Sequence, residues 1–518
     1  MLNSDKLDLK SLEKNDLGKM IEEMLGEMSN EFINHMVPFW MRMSDMEYGG
    51  YYGLYTNGLE LDKKADKGCI LNSRILWMFS NMFSFTGNKH YLSFAKNSYD
   101  FMRKYFLDEI YGGVYWSVSY DGKPEDDSKH TYCQSFAIYA LASYYDASGD
   151  REALELAYKL FDVIETKCRD QQGYLEAFDK EFNQASNEKL SENGVMAART
   201  MNTLLHVMEA YTELYEVDVN SEMKNNYIPE YYTNINTYTF KGTTGRADEV
   251  RTKLLEILKI FKEKIYNPEK KRLEVFFDLD YNPIIDLHSF GHDIEASWLI
   301  YKTMQVLGLD KIGGTEYDLS DITKVLAETI YDVVKNDSAD QFLNGSPAEA
   351  EDGKVLETRI WWVQCECMVG FVNAYNQREL EMMLNAFTYD EQDKDSDRDL
   401  ERDLDRESDK NIDDNLNKKN MDDSAEKYLR AVVGIWNFIK NNMVDYRVPS
   451  EWLNEVELGM DENKASNENK VSNVGKPIVD EWKCPYHNGR MFLEVTKRLK
   501  SVIGGSGTKD ITEVLVSN

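Results

Sequence analysis

Apolar positions along the chain recur at helical spacing in paired segments separated by short polar breaks. Leu71, Ile75, Met78, Phe79 and Met82 mark one apolar face, Thr86-Gly87-Asn88 interrupts it, and Phe94, Ala95, Tyr99, Met102 and Phe106 mark a second. The next stretch repeats the order. Phe136, Tyr139 and Ala140 form a stripe, Ser148-Gly149-Asp150 breaks it, and Leu154, Ala157, Phe161 and Ile164 continue on another helix. Between the pairs lie glycine- and aromatic-rich turns, Gly49-Gly50-Tyr51-Tyr52, Gly112-Gly113-Val114-Tyr115 and, more loosely, Gln172-Gly173-Tyr174-Leu175, at intervals of about 60 residues. Each unit is helix, turn, helix, then a loop or short hairpin. About six such units fill some 360 to 400 residues, and a closed ring of them places one helix of each pair inside and the loops on one rim. The pattern predicts an all-α fold, an (α/α)6 barrel with short hairpins and loops on one rim, made by residues 1–518 as a single domain.

Three segments exceed that allotment and read as insertions. Residues 217–248 lack a clear period, and 458–477 are rich in Asn, Ser and Glu. Residues 390–426 alternate Asp with Lys and Arg, with 16 acidic and 7 basic side chains. Such a composition cannot bury a core, so a solvated segment is expected there. A calcium loop built from its aspartates would need a turning glycine, which it lacks.

Of 518 residues, 92 are acidic and 60 basic, a formal charge of −32. That charge repels phosphate backbones and anionic membrane surfaces, so neither nucleic acid nor membrane is expected as a partner. A neutral or cationic small molecule is. No run approaches the roughly 18 apolar residues of a membrane span, and the first residues carry neither the basic nor the apolar region of a signal peptide; a cytoplasmic protein is expected. The six cysteines are sparse, and only Cys365 and Cys367 lie close in sequence, so they read as core thiols in a reducing compartment.

Candidate chemistry rests on three of the seven histidines. Asn202, His206 and Glu209 share a helical face at spacings of four and three, and His292 and Glu295 come together at i, i+3 after a Gly-His turn. His487 lies in Trp482-Lys483-Cys484-Pro485-Tyr486-His487-Asn488, a proline turn entering the last helix. A carboxylate beside an imidazole fixes its tautomer, as a general base requires, and Glu295 is expected to orient His292. Metal binding is the rival for His292 and Glu295, but zinc takes at least three ligands and no HExxH or cysteine cluster is present, so no metal is expected. His35, His90, His130 and His288 read as structural. Trp361 and Trp362, one turn ahead of Glu366, offer planes that stack on the apolar faces of pyranose rings. Arg74 opens the first barrel helix and lies only partly off its apolar stripe, which directs it toward the interior.

Taken in order, Lys67-Gly68-Cys69-Ile70-Leu71-Asn72-Ser73-Arg74-Ile75-Leu76-Trp77, Tyr132-Cys133-Gln134-Ser135-Phe136-Ala137, Met201-Asn202-Thr203 through His206, Gly291-His292-Asp293-Ile294-Glu295-Ala296-Ser297-Trp298, Trp361-Trp362-Val363-Gln364-Cys365-Glu366 and the ending at Trp482 to Asn488 resemble the cellobiose 2-epimerases of the N-acylglucosamine 2-epimerase superfamily. The resemblance spans about residues 45 to 500. It implies an (α/α)6 barrel that opens the reducing-end glucose of a β-1,4-linked disaccharide, removes the C2 proton and returns it to the other face through a cis-enediolate. His292 and His487 match the acid/base pair, and His206 and Arg74 the groups that stabilise the enediolate oxygens. Tyr132, Asn202 and Glu366 match substrate-binding positions, with Trp361, Trp362 and Trp482 as stacking planes. No cofactor is implied, and the expected partner is a disaccharide bound by a monomer or weak oligomer.

Two other enzymes remain open: an aldose–ketose isomerase on mannose-type sugars, which shares the enediolate but returns the proton to C1, and a glycoside hydrolase on the same barrel, which needs carboxyl groups flanking the scissile bond. A non-catalytic carbohydrate-binding protein would need the tryptophans but not the three histidines.

Overall fold

The computed structural model describes residues 16–187, 194–225, 245–310, 314–337, 342, 344–396, 425–460, 469–473 and 475–503. Among these the paired patterns form twelve helices. They are α1 (Asp16–Glu31, continued by a π turn at Phe32–Met36 and by Val37–Arg42), α2 (Cys69–Thr86), α3 (Lys89–Phe101), α4 (Thr131–Ser148), α5 (Arg151–Lys167), α6 (Met201–Asn225), α7 (Gly245–Ile260), α8 (Phe290–Val306), α9 (Ser320–Asp337), α10 (Trp361–Ser396), α11 (residues 425–438) and α12 (Tyr486–Ile503). Each even-numbered helix touches the next, and α12 returns against α2, closing an inner ring of six; the odd-numbered helices lie outside. This is the (α/α)6 barrel that the repeat predicts.

Sequence sorts the two layers. Every residue of α4 from Thr131 to Tyr145 is buried, as expected of a helix flanked by two inner neighbours and an outer partner. Outer α5 instead buries one stripe, Ala153, Leu156, Ala157, Leu160, Phe161 and Ile164; Leu154, expected within it, is half-buried. The breaks lie where expected. Gly87 and Gly149 close α2 and α4 in the left-handed conformation, at φ 70° and 74°. Asn88 and Asp150 then cap α3 and α5, accepting from the backbone N–H of His90 (3.0 Å) and Glu152 (3.1 Å).

The sixth pair is not contiguous in the chain. Its inner helix is C-terminal α12 and its outer helix is N-terminal α1, with Phe32 stacked on Phe492 at 4.3 Å. Glu27 of α1 accepts from the Trp436 indole (2.8 Å) and Lys440 (2.7 Å), and Glu31 from the Trp452 indole (2.9 Å).

The rim is held by a repeated device. In three units a glycine at positive φ lies against the amide at the fourth position of an inner helix: Gly50 by Asn72, Gly113 by Gln134 and Gly345 by Gln364. A Cβ there would stand 2.6–2.9 Å from the amide oxygen, so a side chain is excluded by space as well as by φ. That oxygen accepts the next backbone N–H, from Tyr51 (3.1 Å), Val114 (2.7 Å) and Ser346 (2.7 Å). A second device adds charge. The basic residue two positions before α2, α4 and α6 pairs with an aspartate of the preceding turn: Lys67 with Asp45 (2.6 Å), Lys129 with Asp108 (2.9 Å) and Arg199 with Asp170 (2.5 Å).

The expected insertions are narrower than the sequence reading gave them. Residues 217–225 continue α6 and 245–248 open α7, while 226–244 lie outside the described residues. Residues 390–396 continue α10 and 425–426 open α11, while 397–424 lie outside. The 458–477 stretch is not an irregular excursion: Glu455–Met460 and Asn469–Asn473 pair antiparallel and extend the Thr358–Ile360 strand into a three-stranded rim sheet. Alternating buried Val456 and Leu458 with exposed Glu457 supplies the period-2 pattern. All six cysteines are buried free thiols. Among the described residues no helix is long and apolar enough to cross a membrane.

The Lys67–Asp45 pair is fully buried, so removing one partner strands a charge, at a cost of about 3–5 kcal/mol. Lys67→Met should lower the urea midpoint clearly, and adding Asp45→Asn should recover most of the loss. Equal midpoints for the single and double variants would show that the charge is not what the rim depends on.

Candidate active site

Five inner helices begin directly after a short rim strand: Lys67–Gly68, Lys129–His130, Arg199–Thr200, Leu287–Ser289 and Thr358–Ile360. Their first two turns, with the turn before α12, wall a cavity of about 180 Å³ at this end of the ring. Arg74 enters from α2, Tyr132 from α4, Asn202 and His206 from α6, His292 and Glu295 from α8, Trp361 and Trp362 from α10, and His487 from α12, with Trp482 and Lys483 just ahead. Because several inner helices open here, the partial positive charges of their N-termini converge on the cavity.

Trp362 stands between two of the imidazoles, its ring 4.8 Å from that of His292 and 5.5 Å from that of His487. It sits on Gly291, where a Cβ would meet the indole at 2.5 Å; the glycine of the Gly-His turn makes room for the tryptophan. His487 Nδ1 lies 2.7 Å from a Glu366 oxygen, and His206 Nδ1 2.8 Å from Glu209. An ionised carboxylate only accepts, so each Nδ1–H donates and Nε2 of each ring is left for other partners. Burial holds His292 down at about 3, helped by nearby His206. Burial, with Arg490 and Arg74, holds His487 well below the ordinary histidine value. Both are therefore neutral at neutral pH.

Arg74 is buried, donates to the Tyr132 hydroxyl (2.8 Å) and the Trp482 carbonyl (3.3 Å), and lies over the Phe136 ring at 4.2 Å. Asn202 Oδ1 is buried in the cavity wall with no protein partner. Behind the imidazoles lies a second set of charges. Arg490 donates to Glu209 (2.5 Å) and to Glu295, and its guanidinium lies 2.7 Å from Glu366. Tyr486 donates to Glu209 at 2.6 Å. Burial pushes Glu209 up, but Arg490 and His206 outweigh it and hold the carboxyl down at about 2. Burial and the neighbouring Glu366 push Glu295 up to about 7, against the pull of Arg490.

Ten of the eleven site residues expected from sequence line this cavity: Arg74, Tyr132, Asn202, His206, His292, Glu295, Trp361, Trp362, Trp482 and His487. Two expectations change. Glu295 does not orient His292; its carboxylate is drawn to Arg490, and His292 Nδ1 pairs with Ser289 Oγ at 2.7 Å. Glu366 is fully buried behind the wall, holding His487 and accepting from the Trp298 indole (3.0 Å), so it faces other side chains and not the cavity. His288, read as structural, pairs with Asp293 at 2.8 Å. The sequence reading missed Ser289, Tyr486 and Arg490. Ser289 lies three residues before His292, the same spacing as Glu295 after it; Arg490 lies one turn beyond His487. Glu295, Glu366 and His487 bring ligand-type atoms within 4.8 Å of one another, but the Arg490 guanidinium already bonds both carboxylates.

The model of the N-acylglucosamine 2-epimerase family matches residues 49–234. Cellobiose 2-epimerases from Ruminococcus albus and Eubacterium cellulosolvens are each 38% identical to the chain, over 92% and 91% of it and 99% and 98% of their own lengths. The solved cellobiose 2-epimerase of Bacillus thermoamylovorans superposes with a TM-score of 0.70 at 34% identity, over 92% of this chain and all of that one. With identity of this order over more than nine tenths of the chain, the chain belongs to the cellobiose 2-epimerase family.

Proposed function

We propose that this protein interconverts the reducing-end glucose of cellobiose and related β-1,4-linked disaccharides with mannose, by removing the C2 proton and returning it to the opposite face of a cis-enediolate. The observation that carries the reading is the pair of neutral imidazoles, His292 and His487, set against one indole and each fixed at Nδ1 by a separate partner. A proton α to an aldehyde is too weakly acidic for water to remove quickly, so the site must supply both a base and a home for the oxyanion. One imidazole takes the proton, and the other, carrying a proton drawn from solvent, returns one to the opposite face. A buried neutral imidazole is a weak base in isolation; the enediolate charge forming beside it raises its affinity for the proton as the reaction proceeds. Arg74 and His206 donate to the enediolate oxygens, and the helix N-termini add their field.

Tyr132 and Asn202 hold hydroxyls, and Trp361, Trp362 and Trp482 give stacking planes. The cavity is smaller than the roughly 300–1,000 Å³ typical of drug-sized ligands, which suits one pyranose inside with the second sugar at the mouth beside Asn454, Glu455 and Lys476. One chain supplies all of these groups, so we assign the activity to the monomer or a weak oligomer with a small sugar as its partner, and the six buried thiols suit a cytoplasmic enzyme. Hydrolysis is less well served. Glu209 and Glu366 are committed to histidines and Arg490, and Glu295, the carboxyl of α8 that lines the cavity, is held by Arg490.

Incubated with cellobiose in deuterated water, the protein should yield glucosyl-mannose carrying deuterium at C2 by NMR, with the rate in His292→Ala and His487→Ala at least 100-fold lower. Cellobiose recovered without epimer or C2 exchange would overturn the reading, and free glucose would point to hydrolysis. Ser289→Ala frees His292 Nδ1 and should lower kcat about 10-fold or more with KM within about threefold; unchanged kcat would remove Ser289 from the machinery.

A further inference from the structure

Among the described residues Arg490 is the one group in bonding contact with the three carboxylates of Glu209, Glu295 and Glu366, although it does not line the cavity itself. It is fully buried, lies over the Trp298 ring at 4.8 Å and the Tyr486 ring at 4.3 Å, and stands 3.5 Å from His487 Nδ1. Three carboxylates sharing one buried pocket cannot all stay ionised without a cation. Two of these three set histidine tautomers, Glu209 that of His206 and Glu366 that of His487. A proton on Glu366 would change its oxygen from acceptor to donor, move the imidazole proton to Nε2 and abolish the lone pair that faces the sugar.

We infer that Arg490 is the positioning residue of the reaction, a guanidinium that keeps Glu209 and Glu366 ionised, so that Glu209 holds His206 at Nδ1 and Glu366 holds His487 in the tautomer that leaves Nε2 free. The inference rests on the epimerase reading of this cavity. Arg490 suits the task in ways a lysine cannot, because its planar fork reaches carboxylates on α6, α8 and α10 at once while an ammonium is a point charge. The groups facing it are Glu209 from α6, Glu295 and Trp298 from α8, Glu366 from α10, and Tyr486 and His487 from its own helix. Arg490 is thus the cation in direct contact with the three carboxylates. Burial pushes Glu366 up on balance, with Arg490 the chief group pulling it back, and Glu295, which sets no tautomer, is raised to about 7. The proton that the cluster keeps is steered to the carboxylate where it does least harm.

The test follows C2 exchange of cellobiose in deuterated buffer against pH, in the full-length wild type, Arg490→Lys and Arg490→Met. Removing the cation raises the pH at which Glu366 loses its proton, so activity in the variants should be lost at higher pH as the medium is acidified. The acid limb of kcat should move up by about half a unit to one unit in Arg490→Lys and by more than one in Arg490→Met, with kcat at pH 7 down at least tenfold and KM within threefold. Added guanidinium should restore part of the Arg490→Met rate. An acid limb at the wild-type pH in Arg490→Lys would overturn the inference, as would Arg490→Met that is folded by circular dichroism yet shows neither shift nor rescue; if Arg490→Met does not fold, the lysine profile decides alone. A wild type without C2 exchange would instead overturn the epimerase reading.

Discussion

The first backbone N–H of five of the six inner helices makes the bond on which the architecture turns. It donates not to its own loop but to the loop leading into the next inner helix: Cys69 to the Trp116 carbonyl, Thr131 to Glu176, Met201 to Val275, Phe290 to Ala348 and Trp361 to Asn454, all at 2.9–3.0 Å. The circuit closes between the first and last loops, where Tyr55 exchanges backbone bonds with Ile478 and Val479. A helix start must satisfy its orphan donors somewhere, and here each does so by pinning its neighbour. The consequence reaches the chemistry, because the side chains that meet in the cavity come from inner helices whose relative heights this circuit fixes.

Height along the helix then separates two tasks. In three inner helices the group at the cavity lies about one turn nearer the N-terminus than the group behind it: His206 before Glu209, Trp362 before Glu366 and His487 before Arg490. A carboxylate that faced the cavity would repel an enediolate; the same carboxylate one turn deeper stabilises an imidazolium. The rise of a helical turn, about 5.4 Å, is thus the distance between helping and opposing the reaction.

The barrel was legible because its repeat is local. Gly50 and Gly113 announce the rim, and the breaks at Gly87 and Gly149 separate inner from outer helices; both are short-range demands of backbone conformation. The cavity residues were legible because each falls within the first two turns of an inner helix or just ahead of one. What could not be read are contacts that the ring creates between distant segments. Glu366 meets His487 across 121 residues, and Arg490 meets Glu295 across 195 and Glu209 across 281. Glu295 shows the limit most clearly. Its spacing from His292 permits a bond, but Ser289 sits at the same spacing on the rim side, and the arginine that claims the carboxylate belongs to another helix. The pairing of α1 with α12 was hidden for the same reason, since it joins the two ends of the chain.

Charge is distributed against what the net value of −32 suggests. The acidic 390–426 stretch accounts for nine of the excess charges, and the described part of it adds no group to the cavity. At the cavity itself Arg74, the helix N-termini and imidazoles that can become cationic face inward beside Glu295, whose carboxyl is raised to about 7, with Glu209 and Glu366 behind them. Net charge therefore argues about solubility and about which macromolecules are repelled, whereas the reaction is governed by the local sign at one depth in the ring. An anion forming from a neutral sugar in a strongly acidic protein is reasonable only because those two scales are separate, and the barrel wall, dry and a helix thick, is what separates them.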